Sequence, residues 1–195
     1  MLDLNTWLVK EHVGFLKLLD RYDVYDPATG QHVGLVQETP SFLGKWLRLL
    51  INKSFLPTVV CVYKEENAPV IFSIRRPVKF FRSKVYVRDS QGNNIGYFKS
   101  KLFSLGGGFY LYDTNDQQIA EVKGDWKGWN FKFIGKNGQE LGTVTKKWAG
   151  IGKELFTSAD NYIVSINEGM SKESVIKILL LAAALSIDII YKEGK

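Results

Sequence analysis

A hairpin motif is repeated five times along this chain of 195 residues. Each copy has an apolar or aromatic run, a polar turn, and then an aliphatic residue that is usually followed by glycine. The turns and their aliphatic residues are 26–30 with Val33, 64–67 with Val70, 89–92 with Ile95, 113–116 with Ile119 and 135–138 with Leu141. Polar turns between alternating hydrophobic residues are a strong signal for β-hairpins. The repeat therefore predicts a mainly β chain, built of antiparallel sheet in a single domain over 1–195.

Two further strands bring the predicted total to about twelve. Residues 6–10 form an isolated strand pattern, and residues 22–25 then enter the first hairpin. After the last hairpin, residues 162–166 are β-branched and apolar. Closing a sheet of this size into a barrel would remove its exposed edges.

The C-terminal tail contains one clear helix pattern, over residues 174–191. From Ile178 to Ile187 the helix is apolar on every face except at Ser186. Lys177 and Asp188 bracket only this short stretch, whereas a membrane span needs about 20 apolar residues. A helix buried in protein is the preferred interpretation over a transmembrane anchor. The sequence thus predicts an antiparallel barrel of about twelve strands around a buried C-terminal helix.

An insert at residues 40–56 separates the first hairpin from the second. On a helical wheel its basic residues Lys45 and Arg48 share one face, and the aromatic residues Phe42 and Trp46 lie largely opposite. A basic amphipathic helix that carries tryptophan is typical of segments lying in a membrane interface. A helix that caps the mouth of the barrel explains the same pattern, so both interpretations stay open.

The chain is basic, with a net charge of +6 and a pI of about 9.2. This charge predicts an anionic partner but does not separate nucleic acid from anionic lipid. The cations concentrate in two clusters with interleaved aromatic residues. These are Arg75, Arg76, Lys79, Arg82 and Lys84 in the first cluster, and Lys146 and Lys147 beside Trp148 in the second. They fit either an anionic head-group site or a solvated sheet edge protected by its charges.

Catalytic motifs are absent from the sequence, and no enzyme activity is predicted. The two histidines, His12 and His32, are well separated, and neither a nucleophile elbow nor a phosphate-binding loop occurs. No metal-ligand spacing is present. The single Cys61 excludes an internal disulfide, fits a reducing cytoplasm, and lies in an apolar run that predicts a buried thiol.

Residues 143–161, TVTKKWAGIGKELFTSADN, resemble the phospholipid scramblase and LURP-one-related family of the tubby C-terminal-like superfamily. The segments 72–77, 22–38 and 187–191 extend the resemblance over roughly residues 5–193. The resemblance implies a twelve-stranded barrel around a central hydrophobic helix. It also implies a phospholipid connection, since lipid scrambling activated by calcium is attributed to scramblases and phosphoinositide binding to tubby domains.

The sequence departs from the eukaryotic scramblase pattern in three respects. It lacks the proline-rich N-terminal extension and the palmitoylated cysteine cluster. The calcium loop of that pattern begins Asp-Ala-Asp, whereas the corresponding segment here is Ser158-Ala159-Asp160-Asn161 and lacks the first ligand. No cofactor is therefore predicted, and calcium dependence is not expected.

The preferred functional hypothesis is a cytoplasmic barrel that docks on anionic phospholipid at the inner face of a membrane. Charge is expected from Lys45, Arg48, Arg75, Arg76, Lys79, Arg82, Lys146 and Lys147. Phe42 and Trp46 are expected to insert. One alternative is a soluble barrel that binds a protein or a small ligand, and another is a membrane-anchored scramblase. No RNA-binding signature occurs, so a nucleic acid partner is not expected.

Overall fold

In the part of the chain that the structure describes, the protein forms a closed barrel of twelve antiparallel strands, and one helix follows these strands. The computed structural model describes residues 1–12, 21–39, 56–77, 84–100, 108–125, 129–146, 161–168 and 174–191. The helix α1 is Ser174–Tyr191. The strands are β1 (Thr6–Glu11), β2 (Arg21–Tyr25), β3 (His32–Glu38), β4 (Thr58–Tyr63), β5 (Val70–Arg76), β6 (Val85–Asp89), β7 (Asn94–Ser100), β8 (Gly108–Tyr112), β9 (Gln118–Asp125), β10 (Asn130–Gly135), β11 (Glu140–Thr145) and β12 (Tyr162–Ile166).

Each strand pairs with its sequence neighbours, and β1 closes the barrel against β12. This up-and-down order places all five hairpin turns at one end, which we call the hairpin end. The opposite end, which we call the connection end, is where the odd-numbered strands finish and the even-numbered strands begin. The predicted strand number, the closed barrel and the helix are therefore confirmed.

The five turns have the same pattern of backbone conformation. Each turn contains a residue with left-handed backbone angles, and a β-bulge follows it on the next strand. The left-handed residues are Gly30, Asn67, Gly92, Asp116 and Gly138. The bulged residues are Val33, Ile71, Ile95, Ile119 and Leu141, and they pack against the core. The second hairpin has its bulge at Ile71, one residue after the Val70 that the repeat predicted.

The helix α1 fills the barrel. Every residue from Leu179 to Leu185 is at most 1% exposed, and Ser186 and Ile187 are completely buried. The hydroxyl of Ser186 donates to the carbonyl of Ala182 at 2.7 Å, which satisfies the one polar side chain of this stretch. The buried helix predicted from the apolar pattern is thus observed.

The first turn of α1 lies at the hairpin end, where the N-terminal residues hold it. Lys177 is 3% exposed, and its ammonium group donates to the carbonyl of Leu2 at 2.8 Å. The indole of Trp7 donates to the carbonyl of Met1 at 3.2 Å and lies 6.0 Å from the same ammonium group. The helix therefore runs from the hairpin end towards the connection end.

The alternation of inward and outward positions corrects the prediction for Cys61. Val60 and Val62 take the inward positions of β4 and are almost fully buried. Cys61 lies between them, so it faces outward and is partly exposed. The apolar run was therefore misleading, because Val59 is also an outward, partly exposed residue of the same strand.

Glycine at position 142 is required by a close approach between β11 and β12. A Cβ atom there would lie 2.3 Å from the carbonyl oxygen of Ser165, which belongs to the backbone and has little room to move. We expect Gly142→Ala to lower the free energy of unfolding by about 3 kcal/mol, as overpacking does in a rigid core.

Gly92→Ala is the control, because its Cβ would meet nothing within 4 Å although its φ is +86°. Backbone strain alone predicts a loss of about 1 kcal/mol there. Chemical denaturation of the two variants measures the difference. Equal losses would show that the close approach at Gly142 is not rigid.

Candidate functional site

Three of the sequence-predicted basic residues lie at the connection end. Arg75 and Arg76 finish β5, and Lys146 directly follows β11. Seven of the predicted residues lie outside the described residues, in segments whose flanking strands all end here. These seven are Phe42, Lys45, Trp46 and Arg48 between β3 and β4, Lys79 and Arg82 between β5 and β6, and Lys147 between β11 and β12. The topology thus brings Arg75 and Lys146 to one end, although they are 71 positions apart in the sequence.

Arg75 and Arg76 point to opposite sides of the barrel wall. Arg75 is exposed on the outer face of β5. Arg76 is 4% exposed, and its guanidinium donates to the hydroxyl of Thr58 at 3.0 Å, on the neighbouring strand. Because successive residues of a strand alternate between faces, an adjacent pair of arginines does not present both charges outward. Arg75 belongs to the candidate surface, and Arg76 belongs to the interior of the barrel mouth.

Lys146 is fixed at the rim by an aromatic neighbour. Its ammonium group lies 4.2 Å from the centroid of the Trp129 ring, a distance at which a cation is attracted to the ring face. The Trp129 ring also packs against the Phe131 and Tyr162 rings, with centroids 6.1 and 5.6 Å away. Lys146 is partly buried, so it contributes its charge to the rim with less freedom than Arg75 has.

Charge differs strongly between the two ends of the barrel. The segments that join strands at the connection end contain ten Lys and Arg against three Asp and Glu. These segments are 13–20, 40–55, 78–83, 101–107, 126–128 and 147–160. The hairpin end contains two Lys against eight Asp and Glu, counting the five turns with residues 1–5 and 167–168. The connecting segments thus carry a net charge of +7 and the hairpin end a net charge of −6, and the rest of the chain carries the remaining +5.

The inner rim of the connection end carries buried polar groups that the sequence reasoning missed. Glu11 is 7% exposed, Glu38 is 1% exposed, and Thr58 and Arg76 are similarly buried. Each occupies an inward position two residues away from a buried apolar residue of its own strand, as Glu38 does after Val36. The two-residue spacing from a buried apolar residue could have identified these positions in the sequence, because every second side chain of a strand points to the same face.

Both histidines of the chain contact the same carboxylate. The Nε2 atom of His12 contacts Oδ2 of Asp23, and the Nε2 atom of His32 lies 3.3 Å from Oδ1. The side chains of His12 and His32 are 50% and 39% exposed, and Asp23 lies on the outer face of β2. The sequence separation of the histidines hid this cluster, because only the pairing of β1, β2 and β3 brings them together.

Tyrosines and cations line the outer wall of β6, β7 and β8. The rings of Tyr97 and Tyr112 are stacked, with centroids 4.9 Å apart and an interplanar angle of 9°. The ammonium group of Lys84 lies 3.8 Å from the Tyr97 centroid and 3.3 Å from Asp116, which also accepts a 2.7 Å hydrogen bond from the Tyr97 hydroxyl. The Tyr97 hydrogen bond, followed by Lys84, lowers the pKa of Asp116.

A cavity of about 390 Å³ lies at the hairpin end, between the fourth and fifth turns. Its lining includes Asp113, Lys136 and Asn137 together with the apolar Ile119 and Leu141. The cavity is at the end opposite the basic residues, so it is not part of the candidate surface.

A family model described as Scramblase matches residues 12–194, which is nearly the whole chain. No curated protein and no solved structure gives a match. Among the helices that the structure describes, none has the length and apolarity needed to cross a membrane.

Proposed function

The chain belongs to the scramblase family, and we propose that it serves the lipid-associated role of that family by docking reversibly on anionic phospholipid with its connection end. In this proposal the protein is not an enzyme, and it needs no cofactor. Its partner is the surface of a membrane that exposes acidic lipids, such as the inner face of the plasma membrane.

The difference in charge between the two ends is the observation that carries this proposal. An anionic surface attracts the connection end and repels the hairpin end, so the electrostatic field orients the barrel before contact. Arg75 is an exposed cation in the described part of this end. Lys45, Arg48, Lys79, Arg82 and Lys147 add charge from the adjoining segments, and Lys146 adds charge from the rim.

Electrostatic attraction of this size is enough for measurable binding. Each basic residue close to an anionic leaflet contributes about 1 kcal/mol, so four such residues give about 4 kcal/mol. Insertion of Phe42 and Trp46 would add an apolar contribution that does not depend on salt. Binding of this kind is reversible, in contrast to a membrane-spanning anchor.

The burial of α1 supports docking over anchoring by this helix. Its apolar residues already pack inside the barrel, where they replace the lipid that an anchor would contact. Inserting the helix in a bilayer would require it to leave the barrel and would expose the inner faces of twelve strands to water. A docked barrel therefore retains a buried core, and an anchored one does not.

Sedimentation with vesicles tests the proposal. We expect the protein to sediment with vesicles that contain phosphatidylserine and to remain in the supernatant with phosphatidylcholine alone. About 0.5 M salt, where the Debye length is roughly 4 Å, should release it. Calcium and a chelator should give equal binding. Equal sedimentation with both kinds of vesicle, or binding that resists salt, would contradict electrostatic docking.

A further inference from the structure

We propose that the outer wall of β5–β8 is a second contact surface, which lies against the head-group layer when the connection end docks. We call it the tyrosine wall and define it by Arg75, Lys84, Tyr86, Arg88, Tyr97, Lys99, Tyr110 and Tyr112. This inference rests on the proposed membrane docking, and it adds a tilt of the barrel and a set of residues that contact lipid.

The tyrosine wall is continuous across four neighbouring strands. Arg75 pairs with Tyr86, Tyr86 pairs with Tyr97, and Tyr97 pairs with Tyr112. A parallel row begins at Lys99, which pairs with Tyr110. Arg75 belongs both to this wall and to the connection end, so the two surfaces join without a gap.

The charge of the wall is complementary to an anionic surface. Arg75, Arg88 and Lys99 are outward residues of β5, β6 and β7, and no described outward strand position of β5–β8 is Asp or Glu. Lys84, which directly precedes β6, is paired with Asp116 at 3.3 Å. On β9 and β11, by contrast, the outer wall includes Glu121 and Glu140, which pair with Lys123 and Lys132. The outer wall of β5–β8 thus has an excess of cations that the described outer wall of β9–β11 lacks.

Tyrosine beside lysine or arginine is the composition found where a protein meets the membrane interface. A tyrosine ring enters the boundary between head groups and acyl chains while its hydroxyl remains hydrated. The methylene groups of lysine and arginine lie at the same depth as the tyrosine rings, and their charged groups lie among the lipid phosphates. Tyr86, Tyr110 and Tyr112 are partly exposed and have this opportunity, whereas Tyr97 is 6% exposed and supports its neighbours.

The ring geometry favours a lipid surface over a single-stranded nucleic acid. Nucleic acid binding by aromatic residues requires ring faces on which bases stack. Here Tyr97 and Tyr112 cover each other, and Lys84 lies over the Tyr97 ring. The covered ring faces are therefore not available for stacking with bases.

A fluorescent label that responds to polarity tests the tilt. In a Cys61→Ser background, the label is attached at Lys99→Cys on the tyrosine wall or at Lys132→Cys on the outer face of β10, outside the tyrosine wall. Both lysines are exposed on the outer face of a strand, and both changes remove one cation. With phosphatidylserine vesicles we expect the label at position 99 to enter a less polar environment and the label at 132 to remain unchanged.

The outcomes separate this inference from the proposed function. Sedimentation with vesicles and no change at position 99 would overturn the tyrosine wall and leave docking intact. No sedimentation would overturn both. Stronger binding of the unlabelled protein to a single-stranded oligonucleotide than to vesicles, at equal phosphate concentration and equal salt, would overturn the choice of lipid.

Substitution of the tyrosines gives an independent measurement. We expect Tyr86→Ser with Tyr110→Ser to weaken vesicle binding about tenfold, since each ring loses apolar contact area in the interface. Tyr25→Ser is the control, because Tyr25 is also an outward tyrosine but lies at the hairpin end beside His32. Unchanged binding of the double variant, with an unchanged melting temperature, would contradict the role of these rings.

Discussion

The Ala183→Asp variant should lose the cooperative unfolding transition of the native protein or melt at least about 10 °C lower. Ala183 is 0% exposed in the middle of α1, and the barrel surrounds it. A carboxylate at this position would lose its water and would find only apolar neighbours, a loss of several kcal/mol. Total stabilities of domains are about 5–15 kcal/mol, so this single change removes a large part of the total.

Two control variants separate the effect of a buried charge from the effects of an added charge on the helix and of added volume. Val175→Asp adds the same charge on the same helix, but Val175 is 46% exposed in the first turn, where a carboxylate interacts favourably with the helix dipole. It should melt like the native protein. Ala183→Val adds a similar volume without charge and measures the contribution of overpacking. Native-like melting of Ala183→Asp, followed by circular dichroism, would refute a helix buried in the barrel.

Reversing two cations at the connection end should weaken binding to anionic vesicles far more than reversing two at the hairpin end. The first variant is Lys79→Glu with Arg82→Glu, and the second is Lys64→Glu with Lys136→Glu. Both lower the net charge from +6 to +2, so a response to overall charge alone would be identical. The docking proposal predicts a loss of at least about 30-fold for the first pair, from about 1 kcal/mol for each cation removed.

The hairpin-end pair should lose much less, because Lys64 and Lys136 lie at the end that faces away from the membrane. Titration of phosphatidylserine vesicles at low salt measures both affinities, and thermal melting verifies that both variants are folded. Equal losses would show that the protein responds to the membrane through its overall charge. The proposed orientation would then be abandoned.

The barrel was predictable because the sequence repeats the chemistry of one turn. The left-handed positions are Gly, Asn or Asp in every copy, and these residues adopt that conformation at the lowest cost. The bulged aliphatic residue three or four positions later sets the register and directs the following residue inward. Helix α1 was predictable for a different reason, since a stretch that is apolar on all faces requires burial on all sides.

The direction of individual side chains was less accessible from the sequence. Arg75 and Arg76 formed one basic cluster in the sequence, and Cys61 lay in an apolar run. To decide which of these residues faces outward, one must know whether the odd-numbered or the even-numbered positions of the strand point inward. A single β-bulge reverses this assignment between the residues before it and those after it. The convergence of Arg75, Arg76 and Lys146 at one end was not predictable from spacing, because it depends on how the strands pair.

The position of α1 after all twelve strands has a consequence for the order of events during synthesis. Until the ribosome has released residues 174–191, the nascent chain has strands whose inner faces have nothing to pack against. β1 also has to wait for β12, its closing partner, which is synthesised after the other eleven strands. The eleven earlier strands must therefore persist as an unclosed, apolar sheet, the kind of intermediate that invites aggregation and chaperone binding. Assembly is completed by the last segment of the sequence described here, and translation speed near that segment bears directly on yield.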